Sequence, residues 1–312
     1  MNTKRFLSVG GIMSTVTQRV REVKQPRGGY LKPSVFEKKV FYDGNTLLEN
    51  ENVHASIMGM VVDYMTRFLI SGDVYDAFQI SGLGYSVRQA ILGGEMSDCD
   101  SNLIWVLNNC GIKNISVAKR KAIEIADGEN SIYELIKRIK GLDDDSLIAA
   151  CKATTYDVWY RVGAAARLAK GAKDTNPNAD TLQNLRILIQ RTVSFFNEVG
   201  PIVSDGFCFA EYDENNKVCK TGYTKTVTNG DGDYLTKDTM WDVKVSKREL
   251  NKNYTLQILM YYIMGVHSEM DLFKNIENIG FYNPRQNTMY KLNVKEIPEE
   301  TISVIERDVI GY

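Results

Sequence analysis

The chain has 312 residues, long enough for one large domain or two smaller ones with a sizeable core. A quarter of the residues are charged, yet the formal net charge is only −1. That excludes a uniformly basic nucleic-acid coat and leaves room for local patches. Cys99, Cys110, Cys151, Cys208 and Cys219 form no CxxC pair, and the histidines are His54 and His267 alone. Neither a zinc knuckle nor a disulfide framework follows from such a set, so a catalytic metal would be held by oxygen ligands, the preference of Mg²⁺ or Mn²⁺.

Residues 1–50 mix glycine, basic and β-branched residues and read as extended segments turning at Gly28-Gly29 and Asp43-Gly44. The stretch FLSVGGIM is too short for a secretory signal, and the run from Ser56 to Ile70 is broken by Asp63 and Arg67, so no membrane span is expected and the chain reads as cytoplasmic. Two basic runs, Arg19 to Arg27 and Lys244 to Lys252, are ordinary solvated faces or phosphate contacts. Ile57, Val61, Tyr64, Met65 and Phe68 predict a helix over Val53 to Ile70, ending near Ser71-Gly72.

From Asn102 to Val199 the pattern is helical. Short helices are expected around Ile132 to Ile139 and Leu147 to Lys152, and a long one from Thr181 to Val199, capped by Asp180 and stopped by Gly200-Pro201. These stripes read as core. Beyond Gly200 the period changes: strands are expected at Phe207 to Tyr212, Lys220 to Val227, Thr239 to Val245, Asn278 to Tyr282 and Met289 to Val294. Turns are expected at Glu214-Asn215-Asn216 and Asn229-Gly230-Asp231-Gly232, and a helix from Asn253 to Gly265.

The chemistry concentrates between Gly230 and Gly265. On a strand Met240, Asp242 and Lys244 share one side while Trp241, Val243 and Val245 share the other, which reads as the core face. A carboxylate and an ammonium therefore project together from an otherwise apolar strand. Asp233, nine residues earlier, lies in a Gly-rich turn that a hairpin could bring alongside Asp242. Two close carboxylates repel unless a cation sits between them, and a divalent metal there would polarise a phosphodiester.

The order Gly230-x-x-Asp233, Asp242-x-Lys244 and Gln257-x-x-x-Tyr261 resembles the PD-(D/E)XK nuclease superfamily, in particular its RecB-like branch. The following IENIGFYNPR, Ile276 to Arg285, is similar to a strand found after that helix in bacterial members. The resemblance spans roughly Ser204 to Val294. It implies that Asp233, Asp242 and the carbonyl of Val243 bind Mg²⁺ or Mn²⁺, that Lys244 acts on the attacking water, and that Gln257 and Tyr261 line a DNA-facing helix. Gly59 to Asp63 is similar to the branch's metal-binding helix, with Asp63 where the family has histidine. No cysteine follows Cys219, so the iron–sulfur cluster of some relatives is not expected.

Plainer readings stand beside these. Asp242 and Lys244 could form a surface ion pair. Asp231 and Asp233 could shape a turn, with Asp231 as the alternative ligand. Gln257 could be an exposed helix residue, Tyr261 a core aromatic and Asp63 a polar-face residue. Arg285 reads equally as a turn residue or a phosphate contact.

The expected architecture is α+β, an α/β/α-type nuclease core with a mixed central sheet flanked by helices and a helical insertion. Residues 1–100 would supply N-terminal strands and the Val53 to Ile70 helix packed on the core, 101–199 the insertion, and 200–312 the catalytic core. The expected function is Mg²⁺-dependent hydrolysis of DNA phosphodiesters, in repair, recombination or phage conflict by analogy alone. A protein partner or homo-oligomer is compatible with the sequence. The alternatives are a catalytically silent nucleic-acid-binding or scaffolding protein of the same fold, and a protein-binding helical module around 102–199.

Overall fold

The computed structural model describes residues 14–312, so the FLSVGGIM stretch lies outside the described residues. The described chain divides into two compact units, one formed by residues 14–41 with 196–312, the other by 42–195. In chain order the first unit begins with α1 (Val16–Glu22) and β1 (Glu37–Val40). Part of the basic run expected to be extended is therefore helical. Thr15 and Gln18 close a reciprocal capping box at its start, which the sequence T-x-x-Q permits.

The second unit is helical: α2 (Ala55–Ser71), α3 (Val74–Ala77), α4 (Gln79–Glu95), α5 (Ser101–Asn109), α6 (Ile115–Asp127), α7 (Ile132–Arg138), α8 (Asp144–Thr154) and α9 (Asp157–Val162). It is followed by α10 (Ala179–Val199), which crosses the boundary between the units. Helix α2 runs where its apolar spacing predicts and ends in a left-handed Gly72 at φ 77°. It belongs with the helical unit, where it packs against α8, so the expected division at residue 100 is not the one the chain adopts. The buried Asp157 ties three of these helices together, accepting from Tyr64 Oη at 2.5 Å and Ser81 Oγ at 2.6 Å. At Gly84 a Cβ would lie 2.0 Å from the Tyr156 carbonyl oxygen, so α4 and the chain entering α9 approach closely only because that residue is glycine. The start of α10 is capped by the Asn178 side chain, which accepts from the Thr181 N–H at 2.9 Å, and not by Asp180, which falls in the first turn.

The first unit resumes with β2 (Ser204–Cys208), β3 (Ala210–Tyr212), β4 (Val218–Thr221), β5 (Asp231–Leu235) and β6 (Thr239–Val243). Then come α11 (Lys252–His267), β7 (Asn278–Asn283), β8 (Thr288–Asn293) and α12 (Glu299–Val304). Six strands form a mixed sheet in the order β1-β8-β7-β6-β5-β2, antiparallel except for the β6–β7 pair, while β3 and β4 pair separately. This is the α+β arrangement expected. A parallel pair needs a crossover, and α11 supplies it. Most of this helix is buried, including Leu256, Ile258, Leu259, Met260, Ile263 and Met264, so it lies inside the unit rather than on its rim.

Strand β5 was not expected, since GDGD reads locally as a turn. Its glycines answer to packing instead. A Cβ on Gly232 would stand 2.2 Å from the Phe207 ring, and one on Gly230 would stand 2.7 Å from Val16 Cγ2. Both faces of β6 and of the β5 residues paired with it are buried, which corrects the expectation of one apolar side. Leu235 and Met240 join the α11 cluster, while Tyr234 and Trp241 are buried on the other face, with Tyr234 against Phe196 at a ring separation of 4.6 Å. Among the described residues no helix is long and apolar enough to cross a membrane.

Gly232→Ala should force Phe207 aside and lower stability by about 1–3 kcal/mol, read as a shift of the urea midpoint; an unchanged midpoint would show that Phe207 moves freely. Burial pushes the Cys151 thiol up to about 12, whereas Cys99, Cys110 and Cys219 are exposed. A thiol reagent at pH 8 should therefore label those three promptly and Cys151 only on unfolding.

Candidate active site

The site begins with the hairpin register. Tyr234 pairs with Trp241 and Leu235 with Met240, and continuing that register sets Asp233 opposite Asp242. Directly opposed residues point to the same face, here the face covered by α11. The Val243 N–H donates to Asp233 Oδ2 at 2.9 Å, fixing the Asp233 carboxylate beside the end of β6. Because the N–H and C=O of one strand residue point to the same side, the Val243 carbonyl also looks toward β5. The next residue returns to β7: the Lys244 N–H donates to the Tyr282 carbonyl at 2.9 Å, prolonging the parallel ladder past Val243.

Asp242 is only 3% exposed. Lys244 Nζ donates to its Oδ1 at 2.9 Å and lies 2.8 Å from Oδ2. The second approach is a charge contact without hydrogen-bond geometry, so Oδ2 is buried with no hydrogen-bond partner among the described residues. A buried carboxylate oxygen left in that condition carries a desolvation cost. Burial acts against the Lys244 ammonium, but the Asp242 and Asp233 carboxylates outweigh it and hold its pKa above the ordinary lysine value. The lysine is therefore a cation that compensates two acids, and the reading of the pair as a surface ion bridge is excluded by the burial of Asp242.

Helix α11 presents a polar stripe to this cluster. Lys244 Nζ lies 5.2 Å from the Tyr254 ring centroid. Gln257 Nε2 donates to Tyr261 Oη at 2.9 Å, as their four-residue spacing allows. Burial raises the Tyr261 pKa well above its usual value, reinforced by the charges of Asp231, Asp242 and Asp233. This phenol keeps its proton. At 5% exposure, stacked on Phe209 at 5.4 Å, Tyr261 is a core residue, the plainer of the two readings its sequence allowed. Gln257 is half-buried.

Asp233, Asp242, Val243, Lys244, Gln257 and Tyr261 thus come together in the first unit. Asp63 lies on α2 in the helical unit, its carboxylate 3.0 Å from Arg67 Nε. Asp231 stands two residues before Asp233 on the same face of β5, and its charge reaches Tyr261. Tyr254 was overlooked in the sequence; its place three residues before Gln257 on the same helical face was the available signal. Arg285 sits in the turn between β7 and β8, where its N–H donates to Asn283 Oδ1 at 3.1 Å.

Among the described residues no three His, Cys, Asp or Glu side chains gather to hold a metal. The donors this site can offer are the two carboxylates and the Val243 carbonyl, all hard oxygens. Comparison of the chain with protein-family models, with curated proteins and with solved structures finds no match.

Removing the ammonium alone strands a buried charge, so Lys244→Met should cost about 3 kcal/mol or more in urea unfolding. Adding Asp242→Asn to Lys244→Met should restore much of that loss. Two variants whose losses simply add would show that the pair is not coupled.

Proposed function

We propose that the chain is a metal-dependent nuclease that hydrolyses DNA phosphodiesters in the cytoplasm. The observation that carries this reading is the opposition of Asp233 and Asp242 across one hairpin, with Lys244 the cation that touches Asp242 and Asp242 Oδ2 buried without a hydrogen bond. A structural protein gains nothing from placing two acids and a lysine on the apolar interior of a sheet.

The donor set fits a divalent oxygen-preferring cation: Asp233, Asp242 and the Val243 carbonyl would hold it, and the buried Oδ2, in charge contact with Lys244 but without a hydrogen bond among the described residues, would be one of its ligands. A Mg²⁺ or Mn²⁺ ion bound there supplies Lewis-acid polarisation of the phosphodiester. The remaining work falls to the chain. With Asp242 so engaged, Lys244 would orient the attacking water and neutralise charge that develops on the phosphoryl oxygens. The backbone N–H of Val243 holds the Asp233 carboxylate beside the end of β6. Gln257, positioned through Tyr261, leaves a half-buried amide beside the cluster as a hydrogen-bond group for the scissile region. Tyr261 is a positioning residue, since its ring is fixed in the core.

The test is cleavage of labelled single- and double-stranded DNA with Mg²⁺, Mn²⁺ or EDTA, alongside thermal melting in the same buffers. Metal should support cutting by the wild type, and Asp242→Ala and Lys244→Ala should each lose at least 100-fold, on the order of what removing a charge-stabilising group costs. Mn²⁺ at about 100 times its Kd should stabilise the wild type by about 2.7 kcal/mol and leave Asp233→Asn/Asp242→Asn unmoved. Cutting that survives both alanine variants, or equal metal stabilisation of the double variant, would place the chemistry elsewhere.

A further inference from the structure

The two basic runs lie more than two hundred positions apart in sequence and are joined in the fold. The segment after α1 is laid against the first turn of α11 by three contacts. Gln25 Nε2 donates to Asn253 Oδ1 at 2.9 Å, and Thr255 Oγ1 donates to the Leu31 carbonyl at 2.6 Å. Gly29, at φ 94°, packs so close to Lys252 that a Cβ there would lie 2.7 Å from the lysine Cβ. The segment is locked onto α11 at a position only glycine fits.

These contacts bring the exposed cations of the two runs onto neighbouring segments. Lys24, Arg27 and Lys32 come from the N-terminal segment, Lys247 and Arg248 from the loop that follows Lys244, and Lys252 from the first turn of α11. All six are exposed, and among the described residues none is paired with an acid. The neighbouring acids are already engaged, Glu22 with Arg19 at 3.9 Å and Glu249 with Lys38 at 2.9 Å. The surface borders the site through the loop after β6, since Lys247 follows Lys244 by three residues and the Lys244 ammonium lies 5.2 Å from the Tyr254 ring centroid. No exposed aromatic interrupts it: Tyr30 and Tyr254 are half-buried and packed against the core. Exposed cations with no aromatic platform beside them offer phosphate contacts and no surface on which unpaired bases stack.

We propose that Lys24, Arg27, Lys32 and Lys252 form a phosphate-binding track on which a duplex nucleic acid lies, independent of sequence, as it approaches the acidic cluster. The identity of what lies at the end of the track rests on the nuclease reading; the track itself does not. A protein with net charge near zero gains little from steering by its overall field, so a local concentration of unpaired cations is what holds a polyanion in place. Each cation engaged with a phosphate releases condensed counterions, which fixes the signature of the contact as a slope against salt.

The experiment is fluorescence anisotropy of the full chain with a labelled duplex of about 20 base pairs in EDTA, between about 50 and 200 mM salt, the range over which phosphate contacts declare themselves. The quadruple variant Lys24→Ala/Arg27→Ala/Lys32→Ala/Lys252→Ala keeps every Cβ, and its circular dichroism should match the wild type. It should bind more than ~10-fold less tightly and lose about 3 to 4 from the slope of log K against log salt. Lys137→Ala/Lys274→Ala, exposed lysines paired with acids elsewhere, should bind as the wild type does. No duplex binding by the wild type, an unchanged slope in the quadruple variant, an equal loss in the control, or binding to phosphatidylserine vesicles but not to duplex would each overturn the proposal. Because EDTA removes turnover from the readout, a track that binds in a protein that never cuts would refute the nuclease reading alone.

Discussion

The parallel pairing of β6 with β7 is the constraint from which the rest of the first unit follows. Two parallel neighbours cannot be joined by a tight turn, so the chain must leave the sheet, cross one face and return. That crossing is α11, and its apolar surface closes over Leu235, Met240, Ile279 and Phe281. Once the helix lies there, any polar residue on the covered face of β5 or β6 must find a partner inside the protein. Asp233, Asp242 and Lys244 meet that demand with one another, with a main-chain N–H and with the tyrosines of α11.

The acidic cluster is consequently a place where the fold tolerates a local conflict. Hydrophobic residues of similar size at Asp242 and Lys244 would satisfy the burial without a charge, and replacing a buried ion pair in that way is often neutral or stabilising. What the chain holds instead is a carboxylate with one oxygen lacking a hydrogen bond and a lysine whose charge is maintained by two acids. Such departures from simple packing concentrate where chemistry is done. The cluster also sits where β6 runs out, so main-chain groups that would be consumed by a longer ladder are turned instead toward a side chain.

The helical unit follows a different logic. Its buried acids are saturated: Asp157 takes hydroxyl donors from Tyr64 and Ser81, and Asp127 accepts from Arg88 at 2.6 and 3.0 Å and from Tyr85 at 2.9 Å. These contacts stitch one helix to another, and their partners are complete. The difference between a satisfied acid and an incompletely bonded one separates scaffolding from candidate chemistry more clearly than burial does, since both kinds are buried.

The sequence by itself determined the local elements and the identity of the candidate site residues. Period-two alternation put Asp242 and Lys244 on one side of a strand, helical spacing put Gln257 and Tyr261 on one face, and α2, α10 and α11 run close to where their apolar stripes begin and end. Such patterns are legible because they report backbone geometry within a few residues. What lay beyond them was decided by contacts between distant segments. β5 is a strand because Phe207 and Val16 occupy the space that side chains at 232 and 230 would need, although Asp-Gly-Asp reads locally as a turn. Tyr261 is core because the Phe209 ring lies on it, and α2 belongs to the helical unit because it packs with α8. The union of the two basic runs depends on a glycine at 29 meeting a lysine at 252, and no pattern in either segment records the other. Periodicity is a property of one stretch of chain; which stretches then share a surface is settled by shape and burial in three dimensions.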